Sequence, residues 1–120
     1  MEKIRLIVAG SRCFDDYDLL KSQINEIKVK YEIVEIVSGT ARGADRLGEL
    51  YAKEHNIPVK RFPADWDRYG KAAGYIRNVQ MAEYADACIC FSINYSRGTE
   101  HMINLSKLNK LKLRVVRLDT

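Results

Sequence analysis

Three times in this chain an apolar run of strand length breaks into a short turn of glycine and small polar residues, and a helical pattern follows. Ile4 to Ala9 runs into Gly10-Ser11-Arg12. Ile33-Val34-Glu35-Ile36-Val37 runs into Ser38-Gly39-Thr40-Ala41-Arg42-Gly43-Ala44-Asp45, and Ala87-Cys88-Ile89-Cys90-Phe91 leads to Ser96-Arg97-Gly98-Thr99. Repeated strand, turn and helix bury such runs best side by side in a parallel sheet covered by helices on both faces. The turns carry chemistry as well. Glycine admits positive φ and close approach of a ligand, and the first N–H groups of each new helix lack an internal partner, so each turn is a seat for phosphate or carboxylate.

Between these landmarks the chain alternates regularly. Asp15 or Asp16 caps a helix whose apolar residues Tyr17, Leu20, Ile24, Ile27 and Tyr31 step by three and four, a stripe that needs a sheet to cover. After Asp45 a second helix carries Leu47, Leu50 and Tyr51 inward and stops near Asn56, with His55 a surface residue compatible with the helix dipole. Pro58 to Phe62 is a short third strand, and prolines at its two ends suit the sheet edge. Pro63 to Gly74 reads as a long connection without strand alternation, of the kind that often carries function. A helix from about Tyr75 to Ala85 follows, with Ile76, Val79 and Ala82 on one face. The last helix includes Met102, Ile103, Leu105 and Leu108, and Leu113 to Leu118 is the fifth strand.

Five strands and four helices of this kind make an α/β, Rossmann-like, doubly wound parallel sheet, for which right-handed crossovers favour the order 3-2-1-4-5. The 120 residues form a single unit with 47% hydrophobic and 30% charged residues and no linker. No apolar stretch is long enough to span a bilayer and the N-terminus does not read as a signal peptide, so a cytoplasmic protein is expected. Cys88 and Cys90 alternate within an apolar strand and act as small hydrophobes. Neither His55 nor His101 sits at ligand spacing from a cysteine, so no metal is expected, and no resident cofactor. The net charge of +4 lies wholly in the last twenty residues, where Lys107, Lys110, Lys112, Arg114 and Arg117 face only Asp119. That is a basic end, not the broad basic face of a duplex-binding domain.

In the order 3-2-1-4-5 the chain reverses direction between the first and fourth strands, and a crevice opens at their carboxyl ends. The glycine turns bring Arg12, Arg42 and Arg97 to that edge with the hydroxyls of Ser11, Ser38, Thr40, Ser96 and Thr99, donors suited to phosphate. Gly10, Gly39, Gly43 and Gly98 belong to the same turns, and Asp45 either orients a ligand ribose or pairs with Arg42 or Arg46. In the long connection, Trp66 either stacks on a base or plugs the loop onto the core, and Lys71 adds charge.

These residues carry a resemblance. Gly10-Ser11-Arg12, Ser38 to Asp45, Phe62-Pro63-Ala64-Asp65-Trp66, Gly70-Lys71-Ala72-Ala73-Gly74 with Arg77-Asn78 and Met81, Ala85-Asp86-Ala87, and Ser96-Arg97-Gly98-Thr99 resemble the YspA-related branch of the SLOG superfamily over nearly the whole chain. The superfamily includes the LOG-type cytokinin-riboside monophosphate phosphoribohydrolases and the DNA-processing protein DprA. The resemblance implies a Rossmann-like domain that binds a nucleotide or nucleotide-derived small molecule, often as a homo-oligomer, and for this branch a ligand-sensing role. It adds Arg77, in the helix before the fourth strand, as a phosphate-binding arginine, and Asn78 beside it.

The chain also departs from the LOG pattern. Arg97-Gly98-Thr99-Glu100-His101-Met102 matches only the second half of the glycine-glycine-x-glycine-threonine-x-x-glutamate motif, and Met102 stands at the glutamate position. Glu100, two residues away, points about 200° around the helix and cannot substitute. A binding or sensing domain is therefore expected in place of that hydrolase. Two alternatives stay open: single-stranded nucleic-acid binding resembling DprA through the basic end, and hydrolysis of a nucleotide derivative using Asp45 or Asp65. His101, in a helix's first turn, is expected neutral.

Overall fold

In the computed structural model, which describes residues 1–119, five parallel strands lie in the order β3-β2-β1-β4-β5. They are β1 (Glu2–Gly10), β2 (Tyr31–Ser38), β3 (Val59–Arg61), β4 (Ala87–Ile93) and β5 (Lys112–Leu118). The connecting helices are α1 (Tyr17–Lys30), α2 (Ala44–Glu54), α3 (Trp66–Tyr69), α4 (Ala73–Tyr84) and α5 (Arg97–Leu108), with a single 3₁₀ turn over Gly70–Ala72. The fold class and strand order are those read from the glycine turns.

Strand alternation divides the core between the two faces of the sheet. Ile4, Leu6, Val8, Ile36, Ile89 and Phe91 pack with Leu20, Ile24 and Tyr51 of α1 and α2, while Ile7, Ala9, Val37, Cys88 and Cys90 pack with Met81, Ala82, Met102 and Ile103 of α4 and α5. Each fully buried aliphatic side chain contributes roughly 1.5–3 kcal/mol relative to exposure. The central strands β1 and β4 are thus apolar on both faces, as their unbroken runs predict. At the opposite, amino edge of the sheet, Asp86 accepts from the Arg5 backbone N–H at 2.9 Å and from Nε of the same residue at 3.1 Å, clamping β1 to the start of β4. Asp86 belongs to the Ala85-Asp86-Ala87 motif, and its work is structural. The Arg5 hydrogen bonds hold its carboxyl below the usual carboxylate range.

Of the two cap candidates it is Asp16 that caps α1, accepting from Leu19 N–H at 3.0 Å. Several other local expectations are corrected. Tyr31 starts β2 and does not extend the helix stripe, because its backbone is already extended (φ −134°, ψ 150°). Leu50 is 39% exposed: α2 instead turns Ala44, Gly48, Tyr51 and Ala52 inward, since it lies so close to β1 that a Cβ at Gly48 would come within 2.7 Å of Val8. Residues 63–74 are not a structureless loop. Asp65 caps α3 through Arg68 N–H at 3.2 Å, the 3₁₀ turn follows, and α4 begins at Ala73. Val79 is exposed, and the buried face of α4 is Ala73, Arg77, Asn78, Met81 and Ala82. A hydrophobic count misplaces that face because two of its residues are polar. The described residues therefore form five α-helices, with α3 the addition.

Candidate functional site

The carboxyl ends of β1 and β4 are stitched together by hydrogen bonds at the crevice floor. Ser11 N–H donates to the Phe91 carbonyl at 2.9 Å, and Ile93 N–H donates to Ser11 Oγ at 2.9 Å. Ser11 Oγ also lies 2.7 Å from Ser96 Oγ, which donates to Thr99 Oγ1 at 3.0 Å. A row of three hydroxyls thus crosses from the turn after β1 to the first turn of α5. Because Ser96 spends its hydroxyl on this row and makes no side-chain cap, the first N–H groups of α5 keep their donor capacity.

The turn after β2 is shaped by close approach. Gly43, at φ 79°, precedes α2, and a Cβ there would fall 2.3 Å from the Ser11 carbonyl oxygen, so only glycine lets the two turns meet. Thr40 adopts φ 65°, a costly conformation for a β-branched residue, and its N–H is held by Ser38 Oγ at 3.0 Å. Ser38 in turn donates to Glu49 at 2.6 Å, so it fixes the turn from within.

From the other side of the crevice, α4 contributes a polar brace. Arg77 Nη1 donates to the Gly39 carbonyl and Nε donates to Asn78 Oδ1 at 3.0 Å. Asn78 Nδ2 donates to the Gly98 carbonyl at 3.3 Å and to His101 Nδ1 at 3.2 Å, which leaves the imidazole proton on Nε2. Burial lowers the His101 pKa, so the ring is neutral as expected, and Tyr75 meets it edge-on. The brace joins the β2 turn to the first turns of α5 across the cleft.

Asp45 sits inside this frame and is 6% exposed. It accepts from Ala41 N–H at 3.1 Å rather than pairing with Arg42 or Arg46. Burial pushes its pKa up to about 6, opposed by the Ala41 hydrogen bond and the charges of Arg77 and Arg12. Burial likewise depresses Arg77, with Asp45 acting in the opposite sense.

The resulting cleft has a volume of about 520 Å³. Of the residues expected at the site, Gly10, Ser11, Arg12, Asp45, Trp66, Lys71, Arg77, Asn78, Ser96, Gly98 and Thr99 line it. Gly39, Thr40 and Arg42 line an adjoining cleft of about 380 Å³, which shares Arg12, Ala41, Trp66 and Arg77 with the first. Ser38, Gly43 and Arg97 line neither; Ser38 and Gly43 shape the turn, and Arg97 is exposed at the start of α5. Trp66 is 50% exposed at the junction of the two clefts, so it is not a buried plug. Cys13, Tyr75 and Ile93 also line the first cleft, and Arg46 the second, positions that no turn motif marks. Met81 and Met102 are each 1% exposed and form its apolar floor. Among the described residues no cluster of His, Cys, Asp and Glu is placed to hold a metal, and no helix is long and apolar enough to cross a membrane.

A doubly wound parallel sheet with an arginine-edged cleft at its switch point defines a Rossmann-like domain. The chain belongs to the YspA, cpYpsA-related SLOG family, whose sequence pattern matches residues 4–69. It is 34% identical over 107 residues to the gene 61 protein of Mycobacterium phage D29, covering 81% of this chain and 83% of that protein. Among solved structures it resembles DNA processing protein A (DprA) from Streptococcus pneumoniae, with a TM-score of 0.57 and 16% identity, over 93% of this chain and 58% of the other. At that identity the likeness is one of fold. Family membership points to a nucleotide, a nucleotide-derived molecule or nucleic acid as ligand.

Proposed function

We propose that this chain is a binding or sensing domain for a nucleotide or nucleotide-derived phosphorylated small molecule of the ADP-ribose type, held at the carboxyl edge of the sheet. The observation that carries the reading is the convergence, in one cleft of about 520 Å³, of the Ser11, Ser96 and Thr99 hydroxyls, the α5 N-terminus, Arg12 and Arg77 beside a half-exposed indole. The volume suits a small ligand, hydroxyls and guanidinium groups suit phosphate, and Trp66 offers a face for a base.

The basic end supports the small-molecule reading over a nucleic-acid one. Lys112 pairs with Glu2, Arg114 with Glu26 and Arg117 with Glu100, so much of its charge is already matched within the chain. LOG-type hydrolysis has no support from the residue at the glutamate position, since Met102 is buried on the cleft floor and Glu100 is held by Arg117 and by Ser92 Oγ at 3.0 Å. We further propose a cytoplasmic protein with residues 1 to 120 acting as one ligand-binding unit; the family resemblance supports a homo-oligomer, which light scattering of the purified protein checks.

Native mass spectrometry of the purified protein, followed by calorimetry with a nucleotide panel, tests the central reading. A co-purifying phosphorylated nucleotide, or saturable binding of ADP-ribose or a nucleoside monophosphate that is lost when the phosphate is removed, is the expected result. Equal affinity for the nucleoside and its phosphate, or no binding by any member of the panel, overturns it.

A further inference from the structure

The adjoining cleft differs from the first in its charge. Four arginines line it, Arg12, Arg42, Arg46 and Arg77, and no carboxylate does. Four of the other six arginines are matched to acids, Arg5 to Asp86, Arg61 to Glu49, Arg114 to Glu26 and Arg117 to Glu100, none farther than 3.2 Å, while the exposed Arg68 and Arg97 stand apart from one another on separate helices. Among the described residues the four cleft arginines form no such ion pair. The Arg42 and Arg12 guanidinium groups have no hydrogen-bond acceptor among those residues, and Arg46 reaches only the Thr40 carbonyl at 3.5 Å, the limit of a hydrogen bond. Arg77 is tied to Gly39 and Asn78, and it feels the favourable charge of the buried Asp45 together with the unfavourable charge of Arg12.

Like charges gathered around a concavity whose lining holds no carboxylate repel one another, with the buried Asp45 acting on Arg77 and Arg12 from behind, and an anion brought in from outside relieves that repulsion while meeting planar, bidentate donors. The two clefts share Arg12, Ala41, Trp66 and Arg77, so one molecule can reach from one to the other. We propose that the arginine-lined cleft seats a second phosphoryl group, so that the ligand is a nucleotide derivative carrying one phosphate beyond those taken by the hydroxyl-lined cleft. This rests on the nucleotide reading above and narrows it to multiply phosphorylated members of that class.

The test compares pairs of ligands that differ by one phosphate, AMP against adenosine bisphosphate and ADP-ribose against 2′-phospho-ADP-ribose, by calorimetry at one fixed salt concentration. The expected result is an advantage of about ten- to hundredfold for at least one phosphate-bearing partner, the range of one or two charge-assisted contacts. In the Arg42→Ala/Arg46→Ala variant, whose exposed substitutions leave the core untouched, that advantage falls below about twofold, with circular dichroism confirming the fold. If AMP or ADP-ribose binds but neither added phosphate improves affinity, or the advantage survives in the double variant, the second seat is refuted while the nucleotide reading stands. If no nucleotide binds, both fail. A single-stranded oligonucleotide that binds more tightly than all four ligands, with affinity rising with length, also refutes it, because the arginines would then follow a strand.

Discussion

Glycines that look equivalent in the turn motifs do different work in three dimensions. Gly39 needs no positive φ, but a Cβ on it would lie 2.7 Å from Asp45 Oδ2 and 2.8 Å from Arg77 Nη1. Gly39→Ala should therefore disturb the Asp45 and Arg77 frame, costing roughly 1–3 kcal/mol in denaturant unfolding together with a loss of affinity. Gly98 has open space around it, so Gly98→Ala should leave stability unchanged or raise it by up to about 1 kcal/mol while lowering ligand affinity. Equal destabilisation by both changes would remove this distinction. Asp45 gives a prediction in pH. Its folded pKa is raised to about 6 by burial, so the native state favours the protonated acid. The stability it contributes is full below its ordinary value and is lost as pH rises through about 6. Melting temperatures followed from about pH 4 to 8 should show that loss in the parent protein, and Asp45→Asn should flatten it. An anionic ligand is also better accommodated beside a neutral Asp45, so ADP-ribose, whose pyrophosphate charge is constant over this range, should bind more tightly as pH falls from about 7 to 5.5. A pH-independent affinity, or the same profile in Asp45→Asn, would count against Asp45 facing the bound phosphate.

Among the elements, α4 and the short α3 before it decide how the cleft is held and how it reports. Arg77 and Asn78 share the buried face of α4 and connect Gly39 to Gly98 and His101. Arg77→Ala should therefore lower the melting temperature as well as weaken phosphate binding, by roughly 1.5–3 kcal/mol for a charge-assisted contact. A loss of affinity with unchanged stability would show that Arg77 serves the ligand alone. Trp66, the first residue of α3 and the chain's one tryptophan, lies at the mouth of both clefts. Its emission should shift or quench saturably on nucleotide binding, with a much smaller response to ribose 5-phosphate, which brings no π-face. Calorimetric binding with constant emission for every ligand would place the base elsewhere in the crevice.

At the scale of the whole molecule, charges at β5 are matched while the cleft arginines are a concentrated group that forms no ion pair among the described residues, so binding should depend on site geometry more than on overall charge. Nucleotide affinity should change far less with salt than a strand-tracking protein's, whose affinity falls by orders of magnitude between about 50 and 200 mM. A steep salt slope with a length-dependent oligonucleotide preference would favour nucleic acid. The sequence alone determined the class of fold and the edge of the sheet where its glycine turns gather, because strand runs buried on both faces and turns opening helices are local patterns with few global solutions. It also marked Pro58 and Pro63 as bounding an edge strand, and Cys88 and Cys90 as core residues. Only the tertiary structure decided that α4 buries Arg77 and Asn78 while exposing Val79, that Trp66 starts a helix, and that Asp45 answers to Ala41 and Arg77 instead of its helix neighbours. Periodicity records where apolar side chains recur along a helix, whereas a buried polar brace is chosen by partners up to 38 residues away, as between Arg77 and Gly39. For the same reason Arg46, unremarkable as one more charge on α2, acquires its place only when the turn after β2 folds over to set it beside Arg12 and Arg42.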